Sequence, residues 1–141
     1  MDPVRIDEAS AAGAKAADRL RRELIAWLTT VSPEGVPQTS PVWFWWAGGE
    51  FLVYSRRSVR VRNIAAHPEV SLHLDGDGEG GGVVVVEGRA RLDEGFTSPD
   101  RHPEYLAKYR RKLDEYGWSA EYFADHYPVP VRISPTRYRY W

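Results

Sequence analysis

The chain has 141 residues, 43% of them hydrophobic and 28% charged, which suits one packed core and argues against disorder. Its formal net charge is −1, so a globally basic nucleic-acid binder is disfavoured, although a local basic patch survives that argument. With no cysteine, disulfides, thiolate metal sites and cysteine nucleophiles are excluded.

The N-terminal MDPVRIDEAS is charged where a signal peptide needs an apolar run, and no stretch approaches the roughly 18 apolar residues of a membrane span. The expectation is a soluble cytoplasmic protein. Residues 1–10 read as a flexible tail and 11–141 as one domain. "AAGAKAADRLRRE" predicts a first helix over Ala11 to Glu23, and "LIAWLTTV" (24–31) shifts to strand composition. "SPEG" (32–35) is a turn. "VPQTSPVWFWWA" (36–47) reads as one extended strand, with Pro37 and Pro41 at edge or bulge positions because proline cannot donate to a ladder. "GGE" turns the chain and "FLVYS" (51–55) runs back.

Ser58 stands as cap of a short helix over 59–66, which His67-Pro68 ends. "EVSLHLD" (69–75) alternates, "GDGEGGG" (76–82) is a loop, and "VVVVEGRARLDE" (83–94) is a long strand. On that strand Val84, Val86, Gly88, Ala90 and Leu92 share one face. Val83 and Val85 fall on the other, so part of that face needs cover. Ser98 and Pro99 predict a helix start, with Leu106, Tyr109, Leu113 and Tyr116 as its buried stripe and Gly117 as its end. A short helix "SAEYFADHY" follows. The last strand covers Val129 to Trp141, broken near Ser134-Pro135. Six mostly antiparallel strands with flanking helices avoid exposed edges by closing into a small barrel, a mainly β (α+β) fold.

Two stretches stand out. "SRRSVRVRNIAAHPEV" places Arg56, Arg57, Arg60 and Arg62 within eight residues, just before and inside the short helix. Helix N-termini bind anions through unpaired amides, and arginine holds phosphate oxygens with a planar fork. Arg60 and Asn63, three apart, share a helix face, while Val61, Ile64 and Ala65 form the neighbouring docking face. Solvated turn arginines are the competing reading. In "VWFWW", Trp43 and Trp45 share one face and Phe44 and Trp46 the other; one pair fills the barrel, and the second is exposed or buried against a partner molecule or a planar ligand, with core or interface favoured over ring stacking. The four histidines show no metal spacing, and there is no Ser-His-Asp pattern, P-loop or dinucleotide glycine motif.

"LTTVSPEGVPQTSPVWFWW", then "SVRVRNIAAHPEVSL", then "VVVVEGRARL" resemble, in order, the split-barrel flavin-binding proteins related to pyridoxamine 5′-phosphate oxidase. The likeness spans about residues 20–141 and is nearest to the actinobacterial branch of probable F420-dependent oxidoreductases. It implies a six-stranded split barrel, a homodimer with cofactor sites at the subunit interface, and hydride transfer between a deazaflavin, coenzyme F420, and a small organic substrate. FMN on the same barrel, a non-catalytic carrier and a haem-handling relative are the alternatives. Carried over by residue, Ser58, Arg60 and Asn63 meet the phosphate, within the segment that also holds Val61 and Arg62. Thr39, Ser40, Pro41, Val42 and Trp43 run along the tricyclic ring, and Ser55 and Arg56 lie at the groove mouth. Arg56, Arg57 and Arg62 are candidates for an acidic cofactor tail. Val83 and Val85 are covered by the second subunit. No catalytic side chain is assigned; Tyr54 or Arg137 is a candidate to stabilise a developing anion. No metal, nucleic acid or membrane is implied.

Overall fold

A computed structural model describes residues 4–141. Helix α1 (Ala11–Arg22) starts where the Ser10 hydroxyl accepts the Gly13 N–H at 3.0 Å. Gly13 is demanded there, since a Cβ would lie 1.9 Å from the Asp7 carbonyl oxygen. The helix buries Ala16, Ala17 and Leu20, and carries Arg19, Arg21 and Arg22 in its last turn, where cations suit the helix dipole. Within the stretch read as a tail, Ile6 is buried in the main core and Ser10 is the cap just described; residues 1–3 lie outside the described residues.

Seven strands follow: β1 (Ala26–Val31), β2 (Pro37–Val42), β3 (Trp45–Ala47), β4 (Glu50–Ser55), β5 (Glu69–His73), β6 (Val84–Leu92) and β7 (Val129–Tyr140). They form one antiparallel sheet ordered β2-β1-β5-β6-β7-β4-β3. The strand expected over 36–47 is therefore two. Its halves pair with different neighbours, β2 with β1 and β3 with β4, and they are the two edges of the sheet. Only Trp43 and Phe44 separate them, and three Cα steps of about 3.8 Å reach about 11 Å at most. The sheet must curl until its edges adjoin, which makes the split barrel. Pro37 and Pro41 sit on edge strand β2, where a missing N–H costs least.

The barrel interior holds Leu28, Phe44, Phe51, Val53, Leu72, Val86, Val131 and Ile133, closed at one side by Leu20 and Ala17. A second core lies outside β4. There Leu52 and Tyr54 meet Tyr105, Tyr109 and Leu113 of α3 (Pro103–Tyr116) and Phe123 of α4 (Ala120–His126). β4 is thus covered on both faces, which is why "FLVYS" is a continuous apolar run. The α3 stripe differs from expectation: Tyr105 takes the deep position, Leu106 is half-buried and Tyr116 is exposed. Its start differs too. Ser98 and Pro99 open a short 3-10 turn (Pro99–Arg101), and α3 begins afresh at Pro103, capped by the His102 Nδ1 that accepts the Tyr105 N–H at 3.0 Å. Gly117, with φ of 68°, ends α3 in the left-handed region as its composition predicts.

β7 is unbroken. At Ser134-Pro135 it bulges: Glu87 faces Arg137 and Gly88 faces Pro135, leaving Thr136 as the extra residue. A bulge absorbs the proline without ending the strand. Gly88 permits the close approach, for a Cβ there would lie 2.8 Å from the Ser134 carbonyl oxygen and 2.9 Å from Ile133 Cγ2. Among the described residues no helix is long and apolar enough to cross a membrane. Gly88→Ala is expected to destabilise the protein by about 1–3 kcal/mol, the usual cost of overpacking. Urea unfolding measures this, and a variant as stable as the parent would show that the strands can part at the bulge.

Candidate functional site

Helix α2 (Val59–Ala66) follows β4 directly. Ile64 anchors it in the barrel core and Val61 packs partly against the same core, while Ala65, expected beside them, is exposed. Ser58 holds the N-cap position in extended conformation, but its hydroxyl makes no capping bond, so no side chain caps the first-turn amides. Beside this helix end opens a cleft of about 520 Å³. Pro41, Val42 and Trp43 form one wall, with Tyr54 at the base. Arg56, Ser58 and Arg60 supply the polar side, and Tyr116, Trp118, Phe123 and Tyr127 come from α3, α4 and their flanks. Its lining contains two guanidinium groups and no carboxylate.

Arg60 is the central polar group. Its Nη1 donates to Ser55 Oγ at 3.2 Å and its Nη2 to Ser40 Oγ at 2.5 Å, while Nε is buried without a partner. Burial pushes its pKa below the usual arginine value, which marks a cation held in place without compensation. The arginines around it fare differently. Arg57 points away and pairs with Glu94 at 3.3 Å, so it leaves the site. Arg56 lies 4.8 Å over the Tyr127 ring and donates to its hydroxyl at 3.3 Å. Arg62 is exposed and lines no part of the cleft.

The structure separates Asn63 from Arg60. Asn63 is buried and donates from Nδ2 to Thr30 Oγ1 at 3.0 Å and to Gln38 Oε1 at 2.6 Å. It ties α2 to β1 and to edge strand β2, and it does not line the cleft. Of the other expected residues, Pro41, Val42, Trp43, Arg56 and Ser58 line the cleft. Ser40 and Ser55 act one layer behind through Arg60. Thr39 bonds Thr29 Oγ1 at 2.6 Å outside the cleft, and Arg137 is exposed on β7 and does not line it. Tyr54 does line it, with its hydroxyl donating to the Thr97 carbonyl at 2.7 Å and its pKa raised by burial.

The aromatic run divides by face as its spacing predicts. Phe44 and Trp46 turn to the barrel core, Trp43 and Trp45 to the helical layer. Trp43 lies flat on Tyr109, with ring centroids 4.5 Å apart and planes within 4°, and nearly parallel to Phe123 at 5.4 Å. Phe44, between the two edge strands, takes its backbone partners from α3. Its N–H donates to Tyr109 Oη at 2.7 Å, and its carbonyl accepts from Lys108 Nζ at 2.8 Å.

A family model described as pyridoxamine 5′-phosphate oxidase matches residues 12–141. The chain belongs to the pyridoxamine 5′-phosphate oxidase family. Among solved structures, an F420 reductase is 25% identical, with a TM-score of 0.63 over 86% of this chain and 94% of that one. A FAD-binding protein from Mesorhizobium loti is 20% identical, with a TM-score of 0.65 over 92% of this chain and 91% of that one. The haem storage protein HutZ from Vibrio cholerae is 14% identical, with a TM-score of 0.60 over 95% of this chain and 92% of that one. The last two likenesses establish the shared fold alone. A search of curated proteins finds no match.

In this pyridoxamine 5′-phosphate oxidase family member, five of the twelve residues lining the cleft escape the sequence motifs. Ile25, Tyr116, Trp118, Phe123 and Tyr127 line it from segments read as plain helix, strand or turn. The available signal was the density of aromatics between Tyr116 and Tyr127, which exceeds what one seven-residue helix can bury. Lys108 was also unread. Burial pushes its ammonium down to about 7, opposed weakly by Glu23. The folded protein then binds fewer protons at this site than the unfolded chain between about pH 7 and 10.5, so stability rises with pH through that window. Lys108→Met is expected to remove that rise, worth at most about 1.4 kcal/mol per pH unit. Denaturation of parent and variant at pH 7, 8 and 9 tests it, and parallel curves would refute it.

Proposed function

We propose that the protein is an oxidoreductase using the deazaflavin coenzyme F420, with hydride passing to or from a small organic substrate. The observation that carries this reading is Arg60: a largely buried guanidinium with an orphaned Nε, no carboxylate partner among the described residues, and an aromatic cleft in front of it. A planar ring joined to a phosphate fits that arrangement, and the F420 reductase likeness supports the choice of ring. When bound, the coenzyme supplies hydride from its central ring. The chain's residues bind and orient it. Arg60 and Ser58 would hold the phosphate, with Ser40 and Ser55 fixing the guanidinium, while Pro41, Val42 and Trp43 set the ring plane. The α3–α4 aromatics exclude water. Exposed Arg62 remains available to an acidic tail, whereas Arg56 is engaged on Tyr127 and Glu94 has withdrawn Arg57. FMN would use the same residues. The haem reading is weaker: the cleft lining includes no histidine, cysteine or methionine, and of its tyrosines Tyr54 donates to the Thr97 carbonyl and Tyr127 accepts from Arg56.

Titration with F420 and with FMN, followed by fluorescence, separates the two: F420 is expected to bind tightly, and tight FMN binding with no F420 binding overturns the choice. Tight F420 binding without hydride transfer to quinones, nitroaromatics or unsaturated lactones would make the protein a carrier. Arg60→Ala is expected to weaken F420 binding by ten- to a hundredfold, the loss of a charge-assisted bond worth about 1.5–3 kcal/mol. Unchanged affinity removes Arg60 from the site.

The same reading includes a homodimer with cofactor sites at the seam. Trp27, His73, Val85 and Arg139 lie side by side across β1, β5, β6 and β7, and Val83 and Val85 are only partly covered there. Val85→Glu is expected to give a monomer with weakened cofactor binding in light scattering and titration. A parent chain that is itself monomeric would end this part of the proposal.

A further inference from the structure

Three of the rings that line the cleft also lead out of it. Trp43, on the wall, has its ring centroid 6.4 Å from Trp118 and 6.4 Å from Tyr116, nearly parallel to the latter. Trp118 lies 5.2 Å from Tyr116 and 5.3 Å from Tyr122. Tyr116 and Tyr122 are 54% and 40% exposed. Neighbouring rings thus join the cleft wall to solvent. Each is tryptophan or tyrosine, the ring-bearing side chains that give up an electron most readily, and the chain has no cysteine to compete with them.

Two other branches leave the same rings, and both are obstructed. Inward, Trp43 lies on Tyr109 and Tyr109 against Tyr105. An oxidised phenol must shed its proton. Tyr109 Oη donates only to the Leu24 and Phe44 carbonyls, and the buried Tyr105 Oη has no partner, so neither meets a base that could take one. Burial raises the pKa of both phenols, which opposes the same proton loss. The Lys108 amine, when charged, adds a cation 5.4 Å from the Tyr109 ring centre, and a cation beside a ring makes its electron harder to remove. Sideways, Trp118 lies 6.1 Å from Tyr127, but the Arg56 guanidinium lies 4.8 Å over that ring. Among the described residues no cation lies over Trp43, Trp118, Tyr116 or Tyr122. The last two are open to water, which can accept their protons.

We infer that Trp43, Trp118 and the exposed pair Tyr116 and Tyr122 form a path that carries an oxidising equivalent from the cleft to the surface. It rests on a planar redox ring occupying the cleft, as proposed above, but neither on hydride transfer nor on which ring is bound. The oxidant is that ring excited by light. It gains one electron, and Trp43 or Trp118 loses one. The vacancy is filled by an electron from Tyr116 or Tyr122, whose phenolic proton passes to water. A thiol in solution then returns one hydrogen atom to the tyrosine and becomes a thiyl radical. The path keeps oxidative damage from settling on the cleft wall.

Flash excitation of the protein loaded with FMN or F420, whichever binds, followed by transient absorption and electron spin resonance, tests the path. In the parent, a tryptophan radical is expected to give way to a tyrosyl radical. Tyr116→Phe combined with Tyr122→Phe keeps both rings and removes both phenols. In that variant the tyrosyl signal should be lost, and the tryptophan radical should outlive that of the parent. Under steady light with thiol present, mass spectrometry should find Trp43 and Trp118 oxidised sooner in the variant than in the parent. A loaded parent that forms neither radical overturns the inference and leaves the cofactor site standing. A tyrosyl signal undiminished in the variant, or equal damage to the two proteins, overturns the route. If neither ring binds, the cofactor reading falls and the inference falls with it.

Discussion

The structure depends on a two-residue crossing. Trp43 and Phe44 join the two outermost strands of the sheet, so the sheet has no choice but to roll up. That crossing leaves a backbone N–H and a carbonyl without strand partners in a place that excludes water, which would be costly if nothing met them. Tyr109 and Lys108 meet them from α3. Barrel closure and helix docking are consequently one event. The same event places Trp43 on the wall of the cleft, pressed on the Tyr109 ring.

The second constraint is electrostatic. The outer surface of the sheet is laced with ion pairs, such as Arg89–Glu69, Arg139–Glu87 and Arg91–Glu50, which contribute little individually to stability. Arg60 stands apart. It is sheltered, bonded only to serine hydroxyls, and faces a lining without a negative group. A protein gains nothing in stability from a cation placed this way, so the placement is best explained by what the cation will hold.

The readable part of the sequence was that governed by local rules. Alternation located β6, the Pro-Glu-Gly turn separated β1 from β2, and the split of Trp43 from Phe44 followed from a period of two. The Ser58 cap position and the His67-Pro68 stop located α2, and the family resemblance pointed to the residues at its start as a phosphate site. What escaped was decided by distant partners. The break inside 36–47 arises because β1 claims one half of that segment and β4 the other. Asn63 went to Thr30 and Gln38 because a neighbouring strand offered matching groups. The bulge at Thr136 kept β7 whole where proline suggested an end. The α3–α4 half of the cleft followed no spacing rule, for its aromatics come together only after both helices dock.

β4 is wall to two interiors at once, with Phe51 and Val53 facing the barrel and Leu52 and Tyr54 facing the helices. Neither interior can loosen without stripping a face from this shared partition. Barrel and helical layer are thereby bound to melt as a single cooperative unit, and the amide protons of this central partition should be the last to exchange with solvent.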